Sequence, residues 1–160
     1  SLFEALLDHP DDKVTKGASK ALYRFYNLSD DWYQLDQLPW SELSVVQQHH
    51  VAIRLLDMAI RSGGMTSYFF NGYATRADVA LEGLLAIQAP HRHQILLDCV
   101  ARFGKRGPAK DVDTLRRQLS KLVTDNTDPF HDAGLQWLAA KEENLDRLLF
   151  RYQLARREVT

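Results

Sequence analysis

Six histidines, one cysteine and several pairs of neighbouring carboxylates are the side chains of this sequence that could do chemistry, and their spacing limits what that chemistry can be. His91-Arg92-His93 places two imidazoles at i and i+2, which on a helix turns the rings away from each other. They read as solvated residues of a first helical turn rather than as metal ligands. His49 and His50 are adjacent and cannot chelate from one face; one is expected to pack with Ile53 and the other to face water. His9 and His131 stand alone, and the sequence contains neither HExxH nor paired CxxC, so no metal or other cofactor is predicted. The carboxylate pairs Asp11-Asp12, Asp30-Asp31 and Glu142-Glu143 fall in turns or first helical turns, where negative charge complements the helix dipole. That position explains them better than general acid–base work. There is no G-x-S-x-G elbow, no P-loop and no G-x-G-x-x-G after a strand, so no catalytic residue is assigned. Cys99 lies in Ile95-Leu96-Leu97-Asp98-Cys99-Val100, beside Ile95 and Phe103 at helical spacing, and is expected to be a buried small apolar residue. One cysteine forms no internal disulfide, which points to a reducing cytoplasm.

Charge is nearly balanced: 20 Lys plus Arg against 21 Asp plus Glu in 160 residues, a net of -1. By region, residues 1–60 hold 9 acidic and 5 basic side chains, 61–110 hold 3 and 7, and 111–160 hold 9 and 8. The acidic front, with Asp8, Asp11, Asp12, Asp30, Asp31 and Asp36, could form a local stripe. Arg92, Arg102, Lys105, Arg106 and Lys110 could gather into a positive patch around the loop Gly104–Lys110. That patch is the best candidate for a phosphate or acidic-protein contact, although direct nucleic-acid binding is not expected at this overall balance.

The elements that must position these residues are helical throughout. With 45% hydrophobic residues, a chain of this size buries about 70% of its unfolded surface and needs one core, so a single all-α domain over residues 1–160 with about seven or eight helices is predicted. Leu2, Phe3, Leu6 and Leu7 keep helical spacing up to the turn at Asp8–Asp12. Val14, Ala18, Ala21, Leu22, Phe25 and Tyr26 form a second stripe. Asn27 to Pro39 reads as a loop or irregular helical turn. The strongest signal is a central helix with Ser41 as N-cap, apolar residues from Val45 to Ile60, and an end at Gly63-Gly64. The stretch Met65–Tyr73 is expected to be helical, because no second alternating run exists to pair with it. Helices then follow over Arg76–Gln88 and His91–Phe103, after a cap at Asp111, after Asp128-Pro129, and from about Glu142 to Arg156. No run of 18 apolar residues exists, and the opening Ser1-Leu2-Phe3-Glu4 lacks a signal-peptide pattern; the expectation is a soluble protein without leader or membrane span.

The stretch Ser62-Gly63-Gly64-Met65-Thr66-Ser67-Tyr68-Phe69-Phe70-Asn71-Gly72 after a long helix, followed by Ala80-Leu81 through Ile87-Gln88-Ala89, resembles the signature of the DNA-mimic (DMP) family. That signature is Asn-Gly-Gly-Phe, a Gln, an aromatic pair and an Asn, then a helix ending in Gly-Ala. Gly63, Gly64, Tyr68, Phe69, Asn71 and Ala89 match it, whereas Ser62, Met65, Ser67 and Gln88 depart. The resemblance covers residues 40–103 and, more loosely, Phe130 to Tyr152. Physically the motif reads as structural. Gly63 and Gly64 permit a left-handed end to the long helix so that the chain can reverse, and Tyr68, Phe69 and Phe70 fill the space beneath it. Asn71 bonds backbone groups at the next turn.

The resemblance implies a non-enzymatic, bacterial, all-helical protein that binds another protein, as a homodimer and without cofactor. In the best-known relative an acidic surface imitates duplex DNA and occupies a DNA-binding regulator. Imitation requires carboxylates at phosphate-like density on one face. A net charge of -1 departs from the family on that point, so protein binding carries over and mimicry does not. The alternative from another class is a small enzyme or ligand-binding protein with its site around Tyr68, Asn71 and His91 or His93.

Overall fold

The computed structural model describes residues 2–26, 28 and 31–157. Among them the chain is helical, and its nearest approach to a strand is one bridge between Thr124 and Thr127. The α-helices are α1 (Leu2–Ala5), α2 (Asp12–Phe25), α3 (Trp32–Asp36), α4 (Val45–Phe70), α5 (Ala77–Ala86), α6 (Pro90–Ala101), α7 (Val112–Leu122), α8 (His131–Ala139) and α9 (Leu145–Arg156), with 3₁₀ turns at Leu6–Asp8, Trp40–Glu42 and Tyr73–Arg76. A turn and a half of helix, α3, lies within Asn27 to Pro39, in keeping with the irregular helical turn that is one of the two readings of that stretch.

Local chemistry sets the helix starts. Asp11, Asp31, Asp111 and Asn144 each accept a backbone N–H in the first turn of the helix that follows, satisfying donors that no preceding turn can reach. The start of α4 corrects the expectation for Ser41. Ser41 and Glu42 lie in a 3₁₀ turn, and the cap is Ser44, whose Oγ accepts from Gln47 N at 3.2 Å while Gln47 Oε1 accepts from Ser44 N at 2.9 Å. Ser44 has a Gln three residues on, so two orphan donors are satisfied reciprocally; Ser41 has Ser44 there and cannot do this.

Helix α4 is the axis of the molecule and packs against α3, α5, α7, α8 and α9. It consists of two helical stretches that meet at the two glycines, where the first is expected to end. Gly63 and Gly64 leave helical geometry, Gly64 at φ +80° and ψ 178°, and the helix resumes to Phe70. Only glycine occupies that region without strain, so the expected positive-φ residue is present, at the break between the two stretches of α4. The break admits α8: a Cβ placed on Gly134 would lie 3.1 Å from the Met65 backbone nitrogen. Beneath it, Tyr68 and Phe69 are buried, and the Phe69 ring lies tilted against Phe103 and Phe130 at centroid distances of 4.7 and 4.8 Å. Phe70 does not join them. At about 100° per residue three consecutive side chains cannot share one face, and Phe70 is 57% exposed beneath the Arg116 guanidinium.

The amino-terminal residues add two smaller clusters. Leu7, Leu22 and Tyr23 close over Phe150 of α9, and Trp32 and Leu35 close over Val51 and Leu55 of α4.

Candidate functional site

The polar chemistry of the molecule is concentrated where α4, α6, α8 and α9 meet. Arg92 is nearly fully buried, which corrects both its place in a solvated first turn and its place in a basic patch. Its guanidinium donates to the carbonyl oxygens of Trp137 (2.9 Å), Ala140 (2.8 Å) and Glu143 (3.1 Å), the first two at the end of α8, where the helix dipole favours a cation. Burial lowers the Arg92 pKa, opposed chiefly by the Asp57 charge. The Glu143 carboxylate in turn accepts from the backbone nitrogens of His91 (2.7 Å) and Arg92 (2.9 Å), capping α6, which has no cap of its own. The end of α8 and the start of α6 are thus each satisfied by a side chain from the other segment.

Asp57, which the sequence reading did not single out, is the second buried charge. Its carboxylate accepts from Trp137 Nε1 at 2.9 Å and from Arg61 Nε at 2.8 Å. Burial works against the Arg61 charge, but Asp57 outweighs it and raises the guanidinium pKa. Arg54 pairs with Asp146 of α9 at 2.7 Å. A legible signal existed for one of these pairs: Asp57 and Arg61 are i, i+4 on the helix that carries the core.

His49 and His50 are both buried, which corrects the expectation that one faces water. His49 Nδ1 pairs with Tyr152 Oη at 2.8 Å, and His50 Nδ1 accepts from the Gln153 amide, so consecutive residues of α4 bond consecutive residues of α9. Burial pushes the His50 pKa down to about 3, with Arg54 adding to it; His49 is lowered by burial with Glu82 opposing. Both imidazoles are therefore neutral at neutral pH and act as hydrogen-bonding core residues. No group of three or more His, Cys, Asp or Glu among the described residues is arranged to hold a metal ion.

The predicted residues are dispersed. Among the family-motif residues, Gly63, Gly64, Tyr68 and Phe69 lie within or next to the core, and Asn71 is exposed, its backbone N–H closing the end of α4 on Ser67 O. Burial pushes the Tyr68 hydroxyl pKa up. His91 is exposed and His93 half-buried at the start of α6, and neither lines a cleft with Tyr68 and Asn71. Cys99 is buried and its thiol is pushed up to about 12 by that burial. Of the acidic front, Asp11 and Asp31 are caps, Asp8 pairs with Arg147, and Asp36 lies 3.7 Å from Arg76; Asp30 lies outside the described residues. Asp8 and Asp12 line one cleft and Asp36 another. Arg102, Lys105 and Arg106 are exposed around Gly104–Lys110, while Lys110 is drawn to Asp78 at 2.6 Å. Gln118 ties this loop to α7, accepting from Ala109 N at 2.8 Å.

Two clefts among the described residues have polar walls. The smaller, about 210 Å³, lies between Asp36, Asn71, Tyr73 and Arg76, with Arg76 stacked on Trp40 at 3.9 Å. The larger, about 430 Å³, lies between the Asp8–Thr15 turn and the wall formed by Arg54, Asp57, Arg61, Arg92, Lys141 and Asp146.

Fold and site together define an all-α domain whose buried polar side chains serve mainly to join helices. The DMP19-like protein family model matches residues 41–157, and the chain belongs to that family. No curated protein and no solved structure shows significant similarity to it. Residues 2–40, including α1 to α3, lie outside the matched span. No helix among the described residues is long and apolar enough to cross a membrane.

Proposed function

We propose that this protein is a non-enzymatic regulatory module of a bacterial cytoplasm that acts by binding another protein, itself assembled as a homodimer. The observation that carries the reading is family membership over residues 41–157. Large apolar side chains left on the surface support it: Phe25, Tyr33, Phe70 and Leu135 are each more than half exposed, the kind of group that protein contacts use. The partner expected from the family is a DNA-binding regulator. Recognition does not run through a duplex-like field, because the net charge is -1 and the front carboxylates Asp8, Asp11, Asp31 and Asp36 are engaged in pairs and caps.

The test is affinity capture from the native lysate at physiological salt, followed by reconstitution of the recovered pair from purified components and competition with duplex DNA. A stoichiometric complex with a DNA-binding protein that excess duplex leaves intact is the expected result. Displacement by duplex would restore mimicry, and a chain that captures no protein would remove the reading altogether.

A further inference from the structure

The larger cleft has walls of different origin. One is the turn Asp8, His9, Pro10, Asp12 and Thr15, outside the family span, and the other is the family domain itself. Its lining side chains carry nearly balanced charge, yet their hydrogen-bonding capacity is not balanced. Three of the four carboxylates are occupied within the chain: Asp57 by Trp137 and Arg61, Asp146 by Arg54, and Asp8 by Arg147. Asp12 alone has no ion pair or side-chain hydrogen bond among the described residues. The donors are in surplus. Among the described residues Arg61 uses only its Nε, leaving both terminal nitrogens without a hydrogen bond, and the Lys141 ammonium has no partner.

We propose that this cleft binds a small oxyanion, a carboxylate or a phosphate group, held by Arg61 and Lys141. Guanidinium and ammonium donors bond such oxygens in charge-assisted fashion, and Arg offers a planar fork for two of them. Because one wall is the amino-terminal segment, bound anion would also fasten that segment to the domain. The site is independent of the protein-binding reading.

The full chain is titrated with inorganic phosphate and, separately, with malonate at constant ionic strength, following binding by calorimetry. Saturable binding of at least one is expected, weakened about tenfold or more in Arg61→Gln/Lys141→Gln and unchanged in Arg102→Gln/Arg106→Gln. Lys141→Gln alone, at an exposed unpaired side chain, serves if the double variant fails to fold. Asp12→Asn should tighten binding by removing the one unpaired carboxylate. Which probe binds distinguishes a phosphate from a carboxylate ligand. Absence of saturable binding by either, or binding that survives the Lys141 and Arg61 changes, overturns the proposal.

Discussion

Arg92 and Gln88 show how much single positions carry. Arg92 closes three carbonyl oxygens at the junction of α8 and the α9 approach, so Arg92→Ala leaves them buried and unpaired as well as removing a cation at a helix end. A loss of about 3 kcal/mol or more is expected in chemical denaturation. Arg92→Lys should recover only a minor part, because an ammonium on a flexible stem cannot reproduce a planar three-way contact. Gln88 is strained in the opposite sense. It holds φ +63° at the end of α5, where Ala89 N bonds Leu84 O at 2.8 Å and Gln88 N bonds Leu85 O at 3.0 Å, the pattern of a left-handed helix stop. The family signature has glycine there, and Gln88→Gly should raise stability by about 1 kcal/mol, read from the denaturation midpoint at unchanged slope. A neutral or destabilising result would mean that the Gln88 side chain makes up the strain elsewhere.

At the scale of elements, the glycine break in α4 and the glycine in α8 form one packing device. Gly64 supplies a backbone conformation that other residues rarely adopt, and Gly134 lets α8 come against the exposed backbone at Met65. Asp128 reinforces the junction by accepting from Thr66 Oγ1 at 2.8 Å and from Phe130 N at 2.9 Å. Gly134→Ala is expected to cost about 1–3 kcal/mol, since its Cβ would meet backbone and not a movable side-chain tip. Gly17→Ala is the control: a Cβ there meets nothing within 4 Å, and a helix former replaces glycine in α2, so stability should hold or rise by about 1 kcal/mol. Thermal unfolding of the two variants gives opposite signs if the close approach of α8 is real. The motif glycines could be singled out from the sequence because Gly-Gly after a long apolar helix demands special backbone. Gly134 could not be, since what makes it necessary lies 70 residues away.

For the whole molecule, the buried histidines set the response to acid. His50 titrates near 6.5 unfolded and is lowered to about 3 in the fold, where it faces Arg54, Tyr23 and Gln153. Between those values the unfolded chain binds the extra proton, so stability is complete above about pH 6.5 and falls as pH drops towards 3. His49 acts in the same direction with a smaller shift, and the lowered Asp78 carboxyl, held down by Lys110 against its own burial, contributes further at the acid end. A loss of about 3 kcal/mol by pH 4 is expected from His50. Urea denaturation at stepped pH measures the slope. His50→Gln should flatten it; a slope that is the same with and without the imidazole would show that His50 is not the group responsible.

Helical periodicity, glycine and proline punctuation and capping residues determined an all-α domain built on one long central helix, because those signals depend on neighbours within a few residues. They also placed Cys99 in the core and joined the Gly63–Asn71 stretch to its family, a membership that the match over residues 41–157 bears out. Tertiary structure alone decided that Arg92 is a buried cap and not a surface cation, that both His49 and His50 face inward, that Phe70 faces out, and that Asp8 and Asp12 share a cleft with Arg61 and Lys141. Burial and pairing of a polar group depend on which distant segment packs over it, and that follows from how α4 is surrounded on all sides, not from the residues beside it.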